Sequence, residues 1–180
     1  MVLKQNNLTI RDAVFSDAEQ LCEWWGNGKI MAHAGFPNGL QTNLEELRND
    51  LVNATDSLRI FMIELNDKLI GEMNYKKQEQ NVVAIGIKIC DFTKHDQGLG
   101  TILLTMFIDA LFKYHGYQKI TLDTNLENKR AIHTYQKVGF EIIRTNKDSW
   151  RNQLGEMQST IDFELKKENW HYNNEYFCEL

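Results

Sequence analysis

His95-Asp96-Gln97-Gly98-Leu99-Gly100-Thr101 decides the fold. It joins an alternating, β-branched run, Val82 to Cys90, to an apolar-periodic segment that opens near Gly98. The first N–H groups of a helix have no internal partner and carry positive partial charge. Glycine lets phosphate oxygens approach that backbone closely. A strand, a glycine turn and a helix start therefore predict an anion site, with the N–H groups of Gln97 to Thr101 as donors. The turn is not a Walker A loop, because no Gly-Lys-Ser/Thr ends it. It is a poor dinucleotide fingerprint, because Ile102-Leu103 stand where a third glycine is needed and no βαβ unit precedes it. Taken alone, the turn is equally compatible with a plain strand-to-helix connection.

A second stretch changes that balance: Asn128-Lys129-Arg130-Ala131-Ile132-His133-Thr134-Tyr135-Gln136-Lys137-Val138-Gly139-Phe140. Ala131, Ile132, Tyr135 and Val138 share one helical face, and Gly139 is placed to end that helix in a left-handed conformation. Together the two stretches resemble the GNAT superfamily of acyl-CoA-dependent N-acetyltransferases. The family's pyrophosphate turn, Gln/Arg-x-x-Gly-x-Gly/Ala, is matched by His95-Asp96-Gln97-Gly98-Leu99-Gly100. Its later pattern is matched at Asn128, Ala131, Tyr135, Lys137, Gly139 and Phe140. The resemblance runs over roughly residues 8 to 165. It implies an α/β fold with a mixed, mostly antiparallel central sheet, a splayed strand pair that binds CoA, and helices on both faces. His95 departs from the family's Gln or Arg; it is shorter but keeps a donor for phosphate.

With 180 residues, 42% hydrophobic and 25% charged, the chain reads as one globular domain over 1–180, its last fifteen residues an aromatic-rich tail. No apolar run approaches the roughly 20 residues of a membrane helix, and Met1 to Asp12 lacks the pattern of a signal peptide. A cytoplasmic location is expected. Cys22, Cys90 and Cys178 have neither disulfide nor zinc spacing, so no metal is expected. A net charge of −5 weighs against nucleic acid and mildly for a cationic partner.

Along the chain, Leu8 to Arg11 reads as a first strand. Capping boxes at Ser16-Asp17-Ala18-Glu19 and Thr42-Asn43-Leu44-Glu45 open two helices. Arg59 to Leu65 and Lys68 to Tyr75 form a hairpin around Asn66-Asp67. The helix after the glycine turn carries an apolar stripe at Leu99, Ile102, Leu103, Met106, Phe107, Ala110, Leu111 and Tyr114, with Gly116 as its cap. Lys119 to Thr124, Phe140 to Thr145 and Gly155 to Leu165 are further strands. The tail from Asn169 carries Trp170, Tyr172, Tyr176 and Phe177. It either docks on its own core or meets a second copy in a homodimer.

The resemblance assigns the chemistry. Acetyl-CoA is the co-substrate, lying along the Val82 to Cys90 strand. Main-chain N–H groups near Ile89 and Cys90 polarise the thioester, and Asn128 belongs to the cofactor side. Tyr135 is the general acid for the leaving thiolate; on its residues alone it reads more readily as a core phenol on the apolar face of its helix. An alkyl ammonium must lose a proton before it attacks, which calls for a carboxylate. Many family members carry a glutamate on that strand, where this chain has Val82-Val83-Ala84. Asp123 and Glu72 are the replacements, Asp91 a weaker third, and each is otherwise a strand-end carboxylate. His33 and His133 read as surface or packing residues, and Cys90 has no partner base that would make it a nucleophile. Trp24, Trp25 and Phe36 lie in a stretch that the resemblance places beside the acceptor; the alternative is that the tryptophans cover core, Trp25 more than Trp24. A Trp-rich, acidic cleft is thus expected, taking a small cationic amine or a protein amino group. The rivals are N-terminal acetylation of a ribosomal protein and a non-catalytic acyl-CoA-binding regulator.

Overall fold

The computed structural model describes residues 1–79, 81–172 and 175–180. Among them runs a nine-stranded sheet in the order β7-β8-β6-β5-β4-β3-β2-β1-β9. β1 (Val2–Gln5), β2 (Leu8–Asp12), β3 (Leu58–Leu65), β4 (Lys68–Lys77) and β5 (Val82–Ile89) form an antiparallel run. β6 (Lys119–Asn125), β7 (Glu141–Arg151) and β8 (Met157–Lys166) form a second one. The two runs meet at the parallel pair β5–β6, which is paired only at Val82–Ala84 against Lys119–Thr121. Beyond those three residues the strands part, so the rest of β5 has an open edge.

The β3–β4 turn confirms its sequence signal. Asn66 and Asp67 both have positive φ, 51° and 59°, as the turn that follows strand twist requires. Neither capping box forms at the expected residues. Asn43, not Thr42, caps α3 (Leu44–Val52), its side chain accepting from the N–H groups of Glu45 and Glu46. Ahead of α1 (Ala18–Gly26) a 3-10 turn runs from Phe15 to Asp17, and the Asp17 carboxylate accepts from Val14 N–H and from Arg11.

One face of the sheet packs on α1 and α3 through Leu21, Trp24, Leu47, Leu51 and Met62. The other packs on α4 (Leu99–Lys113) through Phe61, Met73, Tyr75, Phe107 and Phe163, with α5 (Lys129–Val138) beside it. Each ring fully removed from water there stabilises the fold by about 2–3 kcal/mol. α4 is more enclosed than one apolar stripe predicts. Leu104, Ile108 and Phe112 are buried off the stripe, while Ile102 and Tyr114 on it remain 37% and 48% exposed.

The tail explains that enclosure. Asp109, fully buried on the back of α4, accepts from the Trp170 indole at 3.0 Å, the Tyr176 hydroxyl at 2.8 Å and Lys113 at 2.9 Å. A buried carboxylate demands such partners. β9 (Phe177–Glu179) then pairs with β1, a strand ladder that the sequence pattern did not suggest at either end. The tail thus docks on its own core. No helix among the described residues is long and apolar enough to cross a membrane.

Candidate active site

A cleft of about 850 Å³ opens where β5 and β6 part. Its cofactor-side wall is the predicted turn, the exposed edge of β5 and the start of α5. Gly98 caps α4 with φ of 75°, a left-handed conformation that frees the turn from side-chain constraint. Lys94, His95, Asp96, Gly98, Leu99, Gly100 and Thr101 line the cleft; Gln97 does not, its amide being turned back to Thr93 C=O at 2.8 Å. The donor set is narrower than Gln97 to Thr101, because Thr101 N–H already bonds Gly98 C=O at 3.1 Å.

On β5 the two expected polarising groups separate. Cys90 N–H is taken by Ile70 C=O at 2.7 Å, so Cys90 faces β4 and not the gap. Backbone direction alternates along a strand, so the main chains of Ile87 and Ile89 face the gap. Cys90 itself is buried, and burial pushes its thiol up to about 12, which removes it as a nucleophile.

His95 has a role that its sequence did not show. One ring nitrogen, Nε2, lies 2.8 Å from Ile89 C=O, and the other, Nδ1, is met by the Arg130 guanidinium. Arginine only donates, so Nδ1 accepts and Nε2–H donates to the carbonyl. The ring links the end of β5 to α5 rather than reaching a phosphate. Asn128 also lines the cleft, yet its side chain caps α5 by accepting from Ala131 N–H.

Tyr135 and Asp123 are brought together on the cleft wall. Tyr135 is 7% exposed, edge-on to Phe140 and Phe163. Burial, helped by the Asp123 charge, pushes its phenol up to about 12. The Asp123 carboxylate is open to the cleft but walled by protein, and it stands opposite Asp162 on β8. Desolvation and that like charge both raise it above the usual carboxylate range.

Glu72 is placed elsewhere. It is 1% exposed and off the cleft wall, with Oε1 accepting from the Trp25 indole at 2.8 Å and from Lys88 at 3.0 Å. Asp91 caps a 3-10 turn through Thr93, which holds its carboxyl low.

The acceptor wall differs most from expectation. Trp24 is core, 8% exposed, while Trp25 is half-buried on Glu72, the reverse of the stripe reading. Neither tryptophan nor Phe36 lines the cleft. Its place is taken by Lys29 and Ile30 of α2 (Gly28–Met31), His33 and Ala34 of the following 3-10 turn, and Trp150 of β7. Trp150 reaches the cleft because the β7–β8 hairpin is tied down across it. Gln153 N–H bonds Gly35 C=O, and its side chain accepts from Asn38 N–H and donates to Gly39 C=O. At Gly35, φ is 93° and a Cβ would fall 2.3 Å from the Trp150 ring, so only glycine fits. A lone Trp ten residues into an edge strand carries no local signal of this. Nor is the cleft acidic: Lys29, Lys88, Lys94, Lys129 and Arg130 line it against Asp96, Asp123 and Glu127.

The chain resembles known proteins over most of its length. It is 26% identical over 150 residues to the aminoglycoside N(6')-acetyltransferase type 1 of Klebsiella pneumoniae, covering 76% of this chain and 75% of that one. It is 29% identical over 117 residues to N-alpha-acetyltransferase 50 of Danio rerio, covering 51% and 68%. Spermidine N-acetyltransferase from Vibrio cholerae, solved with CoA and spermine, superimposes with a TM-score of 0.81 at 20% identity, over 92% of this chain and 98% of that one. The sequence pattern of the acetyltransferase (GNAT) domain matches residues 7–141, three quarters of the chain, and the protein belongs to that family of acetyltransferases.

Proposed function

We propose that the protein acetylates the primary amine of a small cationic acceptor by direct attack in a ternary complex, with Asp123 and Tyr135 as its reactive side chains. Acetyl-CoA supplies the acetyl thioester. The observation that carries the reading is the parting of β5 from β6, with those two side chains on the wall of the gap. The turn at Gly98 to Gly100 is fitted to the diphosphate, with Lys94, Lys129 and Arg130 as nearby cations. Main-chain groups of Ile87 and Ile89 offer the pantetheine arm a strand-like edge, and an N–H there is suited to developing oxyanion charge.

Asp123 takes the proton of the incoming ammonium. Desolvation and the Asp162 charge raise its carboxyl, which makes it a better base than a solvated one. Tyr135, with its phenol pushed up to about 12, stays protonated throughout. A free alkyl thiol ionises at about 8.5, so the phenol stabilises the leaving sulfur by donating a hydrogen bond rather than by giving its proton away outright. The proposal places the enzyme in the cytoplasm and includes a homodimer. A protein amino group is a second acceptor reading, favoured by the likeness to N-alpha-acetyltransferase 50.

Thiol release from acetyl-CoA, followed against polyamines, aminoglycosides, amino acids and short peptides, tests this. Turnover of small amines supports it. Turnover of peptides alone moves the acceptor to a protein terminus, and tight acetyl-CoA binding with no turnover of any acceptor overturns it.

A further inference from the structure

The acceptor end of the cleft brings Asp123 and Lys88 to one face of the sheet, with the buried Glu72 carboxylate behind Lys88. Ala84 pairs with Thr121, and side chains two residues further along each strand keep to the same face. Gly86 and Lys88 therefore share a face with Asp123, and all three line the cleft. Lys88 is not loose there. One of its three N–H groups is held by the buried Glu72 at 3.0 Å, and Glu72 is itself fixed by the Trp25 indole. A lysine so anchored presents its remaining donors in one place. Gly86, between the two charges, contributes no side chain to fill the space.

Continuing the register puts Gly86 level with Asp123 and Lys88 one strand repeat further out. With about 3.3 Å per residue and about 4.8 Å between strands, the two backbone positions are on the order of 8 Å apart, more where the strands splay. The phosphate end has its own cations in Lys94, Lys129 and Arg130, so Lys88 is not needed there. The lining adds Lys29 and His33, and its carboxylates besides Asp123 are Asp96 of the glycine turn and Glu127 just ahead of α5.

We propose that Lys88, positioned by Glu72, selects an acceptor that carries an anionic group several bonds from its amine. The amine meets Asp123, and a carboxylate or phosphate on the same molecule meets Lys88. A polycation would place a second ammonium against Lys88, and like charges in a walled cleft act as rejection. This rests on acetyl transfer to a small amine as proposed above, and makes that amine's carrier amphoteric rather than net cationic.

Matched series test it: ω-aminocarboxylates against α,ω-diamines of the same chain length, read as kcat/KM by thiol release. The expected result is a preference of about tenfold or more for the aminocarboxylate at the best chain length. The variant Lys88→Gln alone leaves Glu72 buried with one partner and can lose stability. It is therefore paired with Lys88→Gln/Glu72→Gln, which removes both charges, and both are checked by thermal melting. In either folded variant the preference collapses towards one through KM of the aminocarboxylate, while KM for acetyl-CoA moves by less than about twofold. A preference for diamines in the native enzyme, or an unchanged ratio in the variants, overturns the inference and leaves acetyl transfer standing. Failure of both series to turn over while acetyl-CoA binds overturns acetyl transfer to small amines as well.

Discussion

The two sides of the cleft are built by different means. The side proposed for the cofactor is made of backbone: a left-handed Gly98, the first turn of α4 and the unpaired edge of β5. The side proposed for the acceptor is made of side chains from separate segments: Lys29 and His33 after α1, Lys88 on β5, Asp123 on β6 and Trp150 on β7. A backbone site depends on local conformation and therefore leaves a local motif. A side-chain site depends on which strands end up as neighbours, and its residue types are free to change as the acceptor changes. The experiments below ask whether the two sides fail separately.

The largest effect is expected at the boundary between them. Tyr135→Phe removes one hydroxyl from a ring already packed on Phe140 and Phe163, so the fold is kept. kcat falls by about 100-fold, while the dissociation constant for acetyl-CoA, measured by calorimetry, changes little. Undiminished turnover would remove Tyr135 from the mechanism. A non-catalytic acyl-CoA binder would show no turnover in either form.

Asp123→Asn comes next, at about 30-fold in kcat/KM for the acceptor, since water in an open cleft replaces part of a general base. Glu72→Gln has the smaller effect on turnover, because Glu72 acts only through Lys88. The pH dependence separates the two further. Asp123 is raised in the folded protein, so its base form is lost as pH falls through that raised value. The native enzyme therefore loses activity on the acid side of neutrality, and Asp123→Asn flattens that limb. Linkage gives the opposite sign for stability. A carboxyl raised by folding favours the protonated fold, so its stabilising contribution is present at low pH and lost as pH rises through the folded value. Asp123→Asn should thus melt higher than the native protein at neutral pH while working worse. A lower melting temperature would mean that Asp123 is a structural carboxylate.

Gly35→Ala tests the acceptor side alone. The new Cβ meets the Trp150 ring in a backbone conformation that side chains resist, at a cost of about 1–3 kcal/mol. The hairpin must shift, and KM for the acceptor rises by about tenfold with KM for acetyl-CoA nearly unchanged. Equal rises in both constants would show that the two sides are mechanically one.

These differences explain what could be read in the sequence. The β3–β4 turn, the α5 cap at Gly139 and the glycine turn that opens α4 each rest on a few adjacent residues, and all are found where expected. Asp123 and Tyr135 could be proposed from the sequence because Tyr135 lies inside one local motif and Asp123 closes the strand just before it. Trp150, Lys88 and Lys29 were not, because only the pairing of strands far apart in sequence brings them together. Trp24 and Trp25 show the same limit on a smaller scale. One residue of helical phase decides which is core, and the hydrogen bond from Trp25 to Glu72, 47 residues away, decides it against the apolar stripe. β1 and β9 escaped notice because the ladder between them joins the two ends of the chain.

The smallest effect is expected on the cofactor side, from His95→Ala. In the native chain the ring donates to Ile89 C=O and accepts from Arg130, so it ties the β5 edge to α5 without touching the turn's N–H groups. Of the two bonds lost, the one from Arg130 is exposed and open to replacement by water, and the neutral one to Ile89 C=O is worth about 1 kcal/mol, or roughly fivefold in an equilibrium constant. KM for acetyl-CoA should rise by about that factor, with kcat and acceptor KM little changed. His95→Gln, which restores the family's residue type, cannot donate and accept from the same two positions as an imidazole. If it recovers affinity for acetyl-CoA, the position serves the phosphates directly and the bridge is incidental. If it behaves like alanine, the histidine acts by holding the open edge of β5 in place, and the backbone side of the cleft depends on one side chain after all.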